Sequence, residues 1–535
     1  MEMKKVIVLF FVVLTLTTFN VYAGGEQEVG GDEQPEQVLK IAATADFKEF
    51  HTTPGQHGGP SQLSTCLFDG LVFVPGTLEE LKRNEYRPGL AESWEVSEDG
   101  RTWTFKLRKG VQFHHGYGEF TAEDVAFTYG VVNADPSWGE GNHQEYSNLE
   151  FEIEDDYTIR IITPNPDPFF LAMVADVAGG NIISKKAYEE RGDREFKHNP
   201  IGTGPFQFVE HIPNEKVILE RNEKYWQGTP NLERIEFIEM EVSSAELALR
   251  KGSVQFLNSG IETQQWVEKI RNYDTVDPIL VSREVIAFLQ LDTEVEPLDD
   301  IRVRRAVHHA IDKDEIIQLY GADLARELKG PVPETFFGGT YDIPQYAYNP
   351  DKAKELLAEA GYAEGFAVDV ISTERTTILD LMLVIQDQLK RVGIELNVEV
   401  LPHSTWHELM REGKGAMNIR NTGRLPFADI ILTENYHGDA IVTKETGVTN
   451  FMNYDNPLVN GNIKAARSVT DKDRQLELYK ETLTQIMEDA VAVPLVIRKS
   501  VLARHKSFDP GYEIEGLYQV DGHLEIDHRA RIVAE

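Results

Sequence analysis

Cysteine is almost missing: Cys66 is the only one in 535 residues, so the chain has no internal disulfide to staple it. No cysteine stands behind the amino-terminal segment to accept a lipid anchor. Positive charge is scarce as well, with 53 Lys+Arg against 89 Asp+Glu and a net charge of −36. Nucleic acid and anionic membrane surfaces need a basic patch to displace their counterions, so both are poor partners for this chain. The apolar run Val6 to Phe19 is too short for a comfortable membrane span. No internal repeat is visible, and none of the many acidic side chains stands in a recognisable catalytic motif.

What is present is the composition of a folded protein, 41% apolar and 27% charged. The length exceeds what one core supports, which predicts two or three lobes. The acidic excess reads first as a solvated surface that keeps the protein soluble. Lys4 and Lys5, the apolar run, and the pattern Val21, Tyr22, Ala23 predict a secretory signal peptide over 1–23, with an uncleaved anchor as the other reading. Residues 24–37 carry one large apolar side chain, Val29, and are expected to form a flexible leader. An exported chain without a lipid stays near its cell only behind an outer membrane, so the periplasm is the expected compartment.

The stretch 38–44, VLKIAAT, reads as a buried strand ending in a polar, Gly-rich loop that runs to Pro60, the kind of loop that lines clefts. WTFKLR (103–108) and FEIEDDYTIRIIT (151–163) alternate as strands, the second around an acidic turn. Helices are predicted after Thr121, with Glu123 and Asp124 in the first turn, and from Pro350, between Asn349 and Gly361. The set Val303, Ala306, Val307, Ala310 and Ile311 follows one buried helix face, with Asp299 and Asp300 as caps. Ile378, Leu381, Met382, Ile385, Leu389 and Val392 repeat that spacing before Gly393, and 394–400 alternates as a strand. This αβ step predicts an α/β fold.

The stretch 88–116, PGLAESWEVSEDGRTWTFKLRKGVQFHHG, followed by FTAEDVAFTY (120–129), resembles the signature of the family 5 extracellular solute-binding proteins, the dipeptide, oligopeptide and nickel class. Further matches follow in order at 199–208, 218–238, 301–317, 349–362 and 386–400, so the resemblance covers nearly the whole chain after the leader. It implies a periplasmic binding protein-like α/β fold: two lobes, a two-strand hinge and an extra inserted domain. On that layout 38–72, 200–285 and 497–535 build lobe I, 73–199 the inserted domain, and 286–496 lobe III. The chain would cross near Ser282 to Leu291 and again near Val491 to Arg498. The resemblance also implies a monomer that captures a small-molecule ligand without a cofactor, and a membrane permease of an ABC importer as its partner.

In peptide-binding members an aspartate in a segment like WxADYxxP receives the ligand's amino terminus. Here the counterpart, 417–432, reads MNIRNTGRLPFADIIL, with Gly423 or Arg424 where the aspartate belongs. A guanidinium repels an ammonium and grips a carboxylate or phosphate with two parallel hydrogen bonds. Arg424, with Arg420 or Arg375, is therefore the candidate anchor for an anionic or hydroxyl-rich ligand such as an acidic sugar. The other reading gives Asp429 the old role after a local shift, or makes Arg424 a surface ion-pair partner. Trp406 and Phe47 are candidates for stacking on a ligand, and Asn421 and His437 for polar contacts. Gly202 and Gly204 suit a tight turn, and Trp94 and Trp103 suit core packing. The histidine pair 308–309 reads as helix surface or structural hydrogen bonding, since adjacent helical residues do not share a face, the departure at His115 in the pair 114–115 reads as surface variation, and no metal site is expected. An oligopeptide-binding protein of the same fold, a secreted hydrolase, and a chaperone or sensory receptor are the competing functions.

Overall fold

The computed structural model describes residues 35–43, 47, 49–50, 59–132, 134–135, 146, 148–175, 179–257, 263–423, 427–444, 447, 449–469, 471–514, 518 and 524–534, and residues 36 onward belong to one compact unit. The signal-peptide expectation lies outside the described residues, as does most of the leader. At the leader's end Gln37 is fixed rather than loose: its side chain donates to Ile532 O at 2.9 Å and accepts from Ile532 N at 3.0 Å.

Among the described residues one sheet of nine strands spans the molecule. Its order is Met417–Thr422, Val276–Leu291, Ala492–His505, Phe256–Leu257, Val38–Ala43, Arg234–Glu239, Lys216–Arg221 and Phe206–Ile212, with Ala325–Glu327 added along Ala492–His505. The strand expected at 38–44 lies in it, parallel to Arg234–Glu239 and to Phe256–Leu257. Its inner side chains, Leu39 and Ile41, are fully buried, as the apolar run predicts.

Two strands are unusually long, Val276–Leu291 and Ala492–His505, and they pair antiparallel along nearly their whole length. Ile279 and Val281 enter a core shared with Leu39, Phe105, Phe237 and Phe256. Beyond a register break between Val281 and Val285, the same strand alternates between two other cores. Ile286 and Phe288 face one with Phe427 and Tyr479, while Ala287, Leu289 and Leu291 face another with Val303, Leu381 and Leu396. One strand pair therefore carries the chain from one packed body into the next, and period-two alternation sends its side chains to opposite faces.

The alternating segments of the inserted stretch make a four-stranded antiparallel sheet ordered Ala91–Val96, Thr102–Leu107, Thr158–Ile162, Glu150–Asp155. The expected helices form as Ala122–Phe127, Ile301–Ala310, Pro350–Glu359 and Thr376–Lys390. Asp300 caps Ile301–Ala310 and Asn349 caps Pro350–Glu359 with their side chains, and Gly361 follows the latter at φ 96°. The strand after Gly393, Ile394–Leu401, pairs parallel with Phe366–Thr373 across the helix that joins them, which is the αβ step read from the sequence. Trp103 packs at 5.6 Å from Phe170 in the core.

Gly202 and Gly204 serve a different purpose from the tight turn expected of them. A Cβ on Gly202 would lie 2.1 Å from the Leu67 carbonyl oxygen, and one on Gly204 would lie 2.5 Å from the Leu67 carbonyl carbon. Close backbone packing demands these glycines. His114 clasps the same segment: Gly202 N donates to its Nδ1 at 3.3 Å, so Nε2 carries the proton and donates to Gly204 O at 3.0 Å. Burial holds His114 neutral, lowering its pKa from 6.5 to about 4, and burial lowers His308 to about 3. Both are structural histidines, one joining the inserted sheet to the large one.

Candidate ligand cleft

The two long strands meet at a built joint. Glu284 sits in the register break at φ 54°, a left-handed conformation uncommon for a residue with a side chain. Its carboxylate is 3% exposed, accepts from Thr335 Oγ1 at 2.9 Å and pairs with the Arg326 guanidinium. Next along the joint, Arg498 lies over the Tyr320 ring at 5.0 Å. The bend is thus held by side chains of the 286–496 region, and the backbone kink is confined to a few residues, as a hinge requires.

Beside the joint the edge strand Met417–Thr422 pairs antiparallel with 286–291, placing Arg420 opposite Phe288 and Asn421 opposite Ala287. Both side chains are partly buried. The strand leads to residues 424–426, so Arg424 lies outside the described residues, as do 44–46 and 51–58 of the loop after the first strand. Asp429 follows in the first turn of helix Ala428–Tyr436. Its side chain is 1% exposed, and both oxygens accept from Arg467, Nε at 3.0 and 2.9 Å and Nη2 at 2.7 Å. Across a cavity of about 560 Å³, Asp167 of the inserted stretch faces this pair; burial raises its pKa and Arg467 opposes that rise. Phe169 packs on Phe427 at 5.5 Å, and Lys472 Nζ donates to Arg83 O at 3.0 Å, so the inserted stretch touches the 286–496 region at several points.

The two aromatic candidates are engaged by protein. Phe47 is 1% exposed and packs edge-on against Phe237 at 5.7 Å. Trp406, on helix His403–Arg411, is 6% exposed and stacks on His403 at 5.5 Å. His437 caps the end of helix Ala428–Tyr436; its Nδ1 accepts from Asp439 N at 3.0 Å and its carbonyl from Asn450 Nδ2 at 3.1 Å. It braces the loop after that helix.

Arg375 and Arg420 are brought together around residues that the sequence reading passed over. His403 and His407 lie one turn apart with Nε2 atoms 3.1 Å from each other. His407 is held below its ordinary pKa by burial first, then by the charges of His403, Arg411, Arg420 and Arg375. Arg375 likewise depresses His403, after burial, while Glu374 pulls the other way. In a chain with so large an acidic excess, the guanidiniums of Arg375, Arg411 and Arg420 put a local positive field on this neutral imidazole pair. The spacing HSTWH, two histidines four apart on a helix, was the available signal.

A second cavity of about 230 Å³ lies where Tyr518, bridged to Ser282 at the joint, meets Arg87, Asp69 and Glu525. Thr203 Oγ1, Tyr225 OH and Trp226 Nε1 all donate to Asp69, and burial raises its pKa. No group of three or more potential metal ligands occurs among the described residues, and no helix among them is long and apolar enough to cross a membrane.

Residues 85–440 match the family model described as bacterial extracellular solute-binding proteins, family 5 Middle. The chain is 27% identical over 483 residues to the dipeptide-binding protein of Escherichia coli strain K12, covering 85% of this chain and 88% of that protein. It is 27% identical over 454 residues to heme-binding protein A of Haemophilus influenzae, covering 79% and 81%. The structure of the PBP/SBP MoaA from A.tumefacien R10 in complex with mannopinic acid superposes with a TM-score of 0.77 at 29% identity, covering 94% of this chain and all of that one.

Proposed function

Because the chain belongs to the bacterial extracellular solute-binding proteins of family 5, a family of proteins that bind a small ligand between two lobes and deliver it to an ABC importer, we propose that its own ligand is an anionic, hydroxyl-rich solute such as an acidic sugar conjugate. One observation carries the choice. Asp429 is the only carboxylate between Met417 and Leu432, and Arg467 holds both of its oxygens. The segment from which peptide-binding members offer a carboxylate to an ammonium therefore has none to spare. Its other charges are Arg420 and Arg424, with Arg375 nearby, and guanidiniums bind carboxylates. The mannopinic acid complex of the MoaA structure is a precedent within this fold for such a ligand.

The mechanism needs no bond to be broken, and the chain is a binder rather than an enzyme. The ligand touches both lobes only when they close, and that difference in contacts shifts the population toward the closed form. A dissociation constant near 1 μM corresponds to about −8 kcal/mol, within reach of a few charge-assisted hydrogen bonds and a buried ring face. In this reading lobe I comprises 38–72, 200–285 and 497–535, the inserted domain 73–199, and lobe III 286–496, with the Glu284 joint as the hinge. Residues 1–23 act as an export signal, and the protein works as a periplasmic monomer.

Isothermal titration of the purified protein with mannopinic acid, glucuronate, a dipeptide and a neutral oligosaccharide tests the ligand class. The acids bind, and Arg424→Ala weakens them at least tenfold while Asp429→Asn does not. Binding of the dipeptide alone, lost on Asp429→Asn, would return the chain to the peptide class.

A further inference from the structure

We propose that the His403–His407 pair is the proton-binding half of the anion subsite: a ligand carboxylate seated among Arg375, Arg411 and Arg420 is taken up together with one proton. This rests on the anionic-ligand reading above and adds to it a partner, the proton, and a pH dependence.

The hydrogen bonds fix how many protons the pair can hold. Thr373 Oγ1 lies 3.1 Å from His403 Nδ1, and His403 Nε2 lies 3.1 Å from His407 Nε2. With both rings neutral, one of the two Nε2 atoms carries a proton and donates it to the other, which leaves the Nδ1 of the donating ring open. One more proton enters at that Nδ1, and the Thr373 oxygen can accept from it where it belongs to His403. A second would set two N–H groups head to head, so the pair takes one while the contact lasts. Arg375 N also leans on this threonine, at 3.4 Å, coupling the turn before helix Thr376–Lys390 to the imidazoles.

The charges facing the pair come from three elements. The segment after strand Phe366–Thr373 brings Glu374 and Arg375, the pair's own helix brings Arg411, and strand Met417–Thr422 brings Arg420. Burial first, and then three positive groups against one negative, keep the empty pair neutral. A carboxylate in this field offsets the repulsion and raises the imidazoles' affinity for a proton toward its ordinary value. The indole N–H of Trp406, buried and stacked on His403, has no acceptor among the described residues and is a further donor beside the subsite. The sign follows: the bound form holds its proton to higher pH than the empty one. Affinity therefore rises as pH falls, by at most tenfold per pH unit for one proton. Ligand carboxylates titrate near pH 4 and do not contribute between pH 5.5 and 7.5.

The test is isothermal titration with mannopinic acid and with glucuronate at pH 5.5, 6.5 and 7.5, each in two buffers of different ionisation enthalpy. The wild-type protein is expected to take up a fraction of a proton on binding and to bind severalfold more tightly at pH 5.5 than at 7.5. H403Q/H407Q is expected to bind with no proton uptake and a flat pH profile. R375M, with one repelling charge removed, is expected to move the profile's midpoint to higher pH, and it serves where the double variant does not fold. Tight binding with no pH dependence, or an unchanged profile in H403Q/H407Q, overturns the proton coupling and leaves the anion reading standing. Absence of any acid binding, with dipeptide bound, removes that reading itself. A thermal shift produced by nickel and abolished by H407Q, with none from either acid, overturns the anion subsite in favour of a metal site.

Discussion

Replacing Asp429 by asparagine separates a structural carboxylate from a ligand anchor. The substitution keeps the shape and removes the charge that both Nε and Nη2 of Arg467 grip. Breaking a fully buried ion pair costs about 3–5 kcal/mol and an exposed one below about 1 kcal/mol. Asp429 is 1% exposed, but the Arg467 side chain keeps 45% exposure toward the cavity, and Asp167 remains nearby as a second partner. The expected cost is therefore intermediate, about 2 kcal/mol. Unfolding entropy scales at about 2 cal/mol/K per residue, so a body of roughly 500 residues unfolds with about 1 kcal/mol/K. The melting temperature should fall by about 2 °C in a calorimetric scan, with ligand affinity unchanged within about twofold. A double cycle with Arg467→Met should recover most of the 2 kcal/mol as coupling energy. An unchanged melting temperature together with a tenfold or greater loss of affinity would refute the assignment and restore Asp429 as the anchor.

His114 makes stability depend on pH. The unfolded chain binds its proton near pH 6.5 and the folded one only near 4, so stability is whole above 6.5. It falls by about 1.4 kcal/mol per pH unit down to 4. H114Q, which keeps a donor for Gly204 O, should remove this contribution from melting curves recorded across that range. Gly202→Ala forces a Cβ into the Leu67 carbonyl and should abolish soluble expression, whereas Gly461→Ala, within helix Pro457–Ser468 and with open space around it, should stabilise by about 1 kcal/mol in urea unfolding. Glu284→Gln weakens the bond to Arg326, and amide hydrogen exchange at 281–285 should become at least tenfold faster, while an unchanged rate would mean the carboxylate does not brace the joint.

Helices and the short alternating or apolar strands were legible because their signals are local. Caps at Asp300 and Asn349, the glycine after Glu359, and the 3.6-residue spacing of Ile378 to Leu389 state their structure within a few positions. The turn reading of Gly202 and Gly204 failed for the opposite reason, since what they avoid is Leu67, more than a hundred residues away in the chain. At the candidate site, the sequence alone named Arg375, Arg420, Asn421 and Asp429 from one ordered resemblance. It was silent on Arg467, which takes Asp429 out of play, and on the contact between His403 and His407. The first depends on how two separate helices dock, whereas the second was spelled in the HSTWH spacing on one helix and was passed over. Phe47 and Trp406 looked like stacking platforms because exposed and buried aromatics are spelled alike, and only packing against Phe237 and His403 tells them apart.

Closure on an anionic guest is tested most directly by small-angle X-ray scattering of the protein alone and with saturating mannopinic acid, beside a neutral oligosaccharide as control. A smaller radius of gyration with the acid alone, absent in Arg424→Ala, is the predicted result. An identical scattering curve in all three samples, with acid binding established by calorimetry, would contradict a hinge that closes on its ligand.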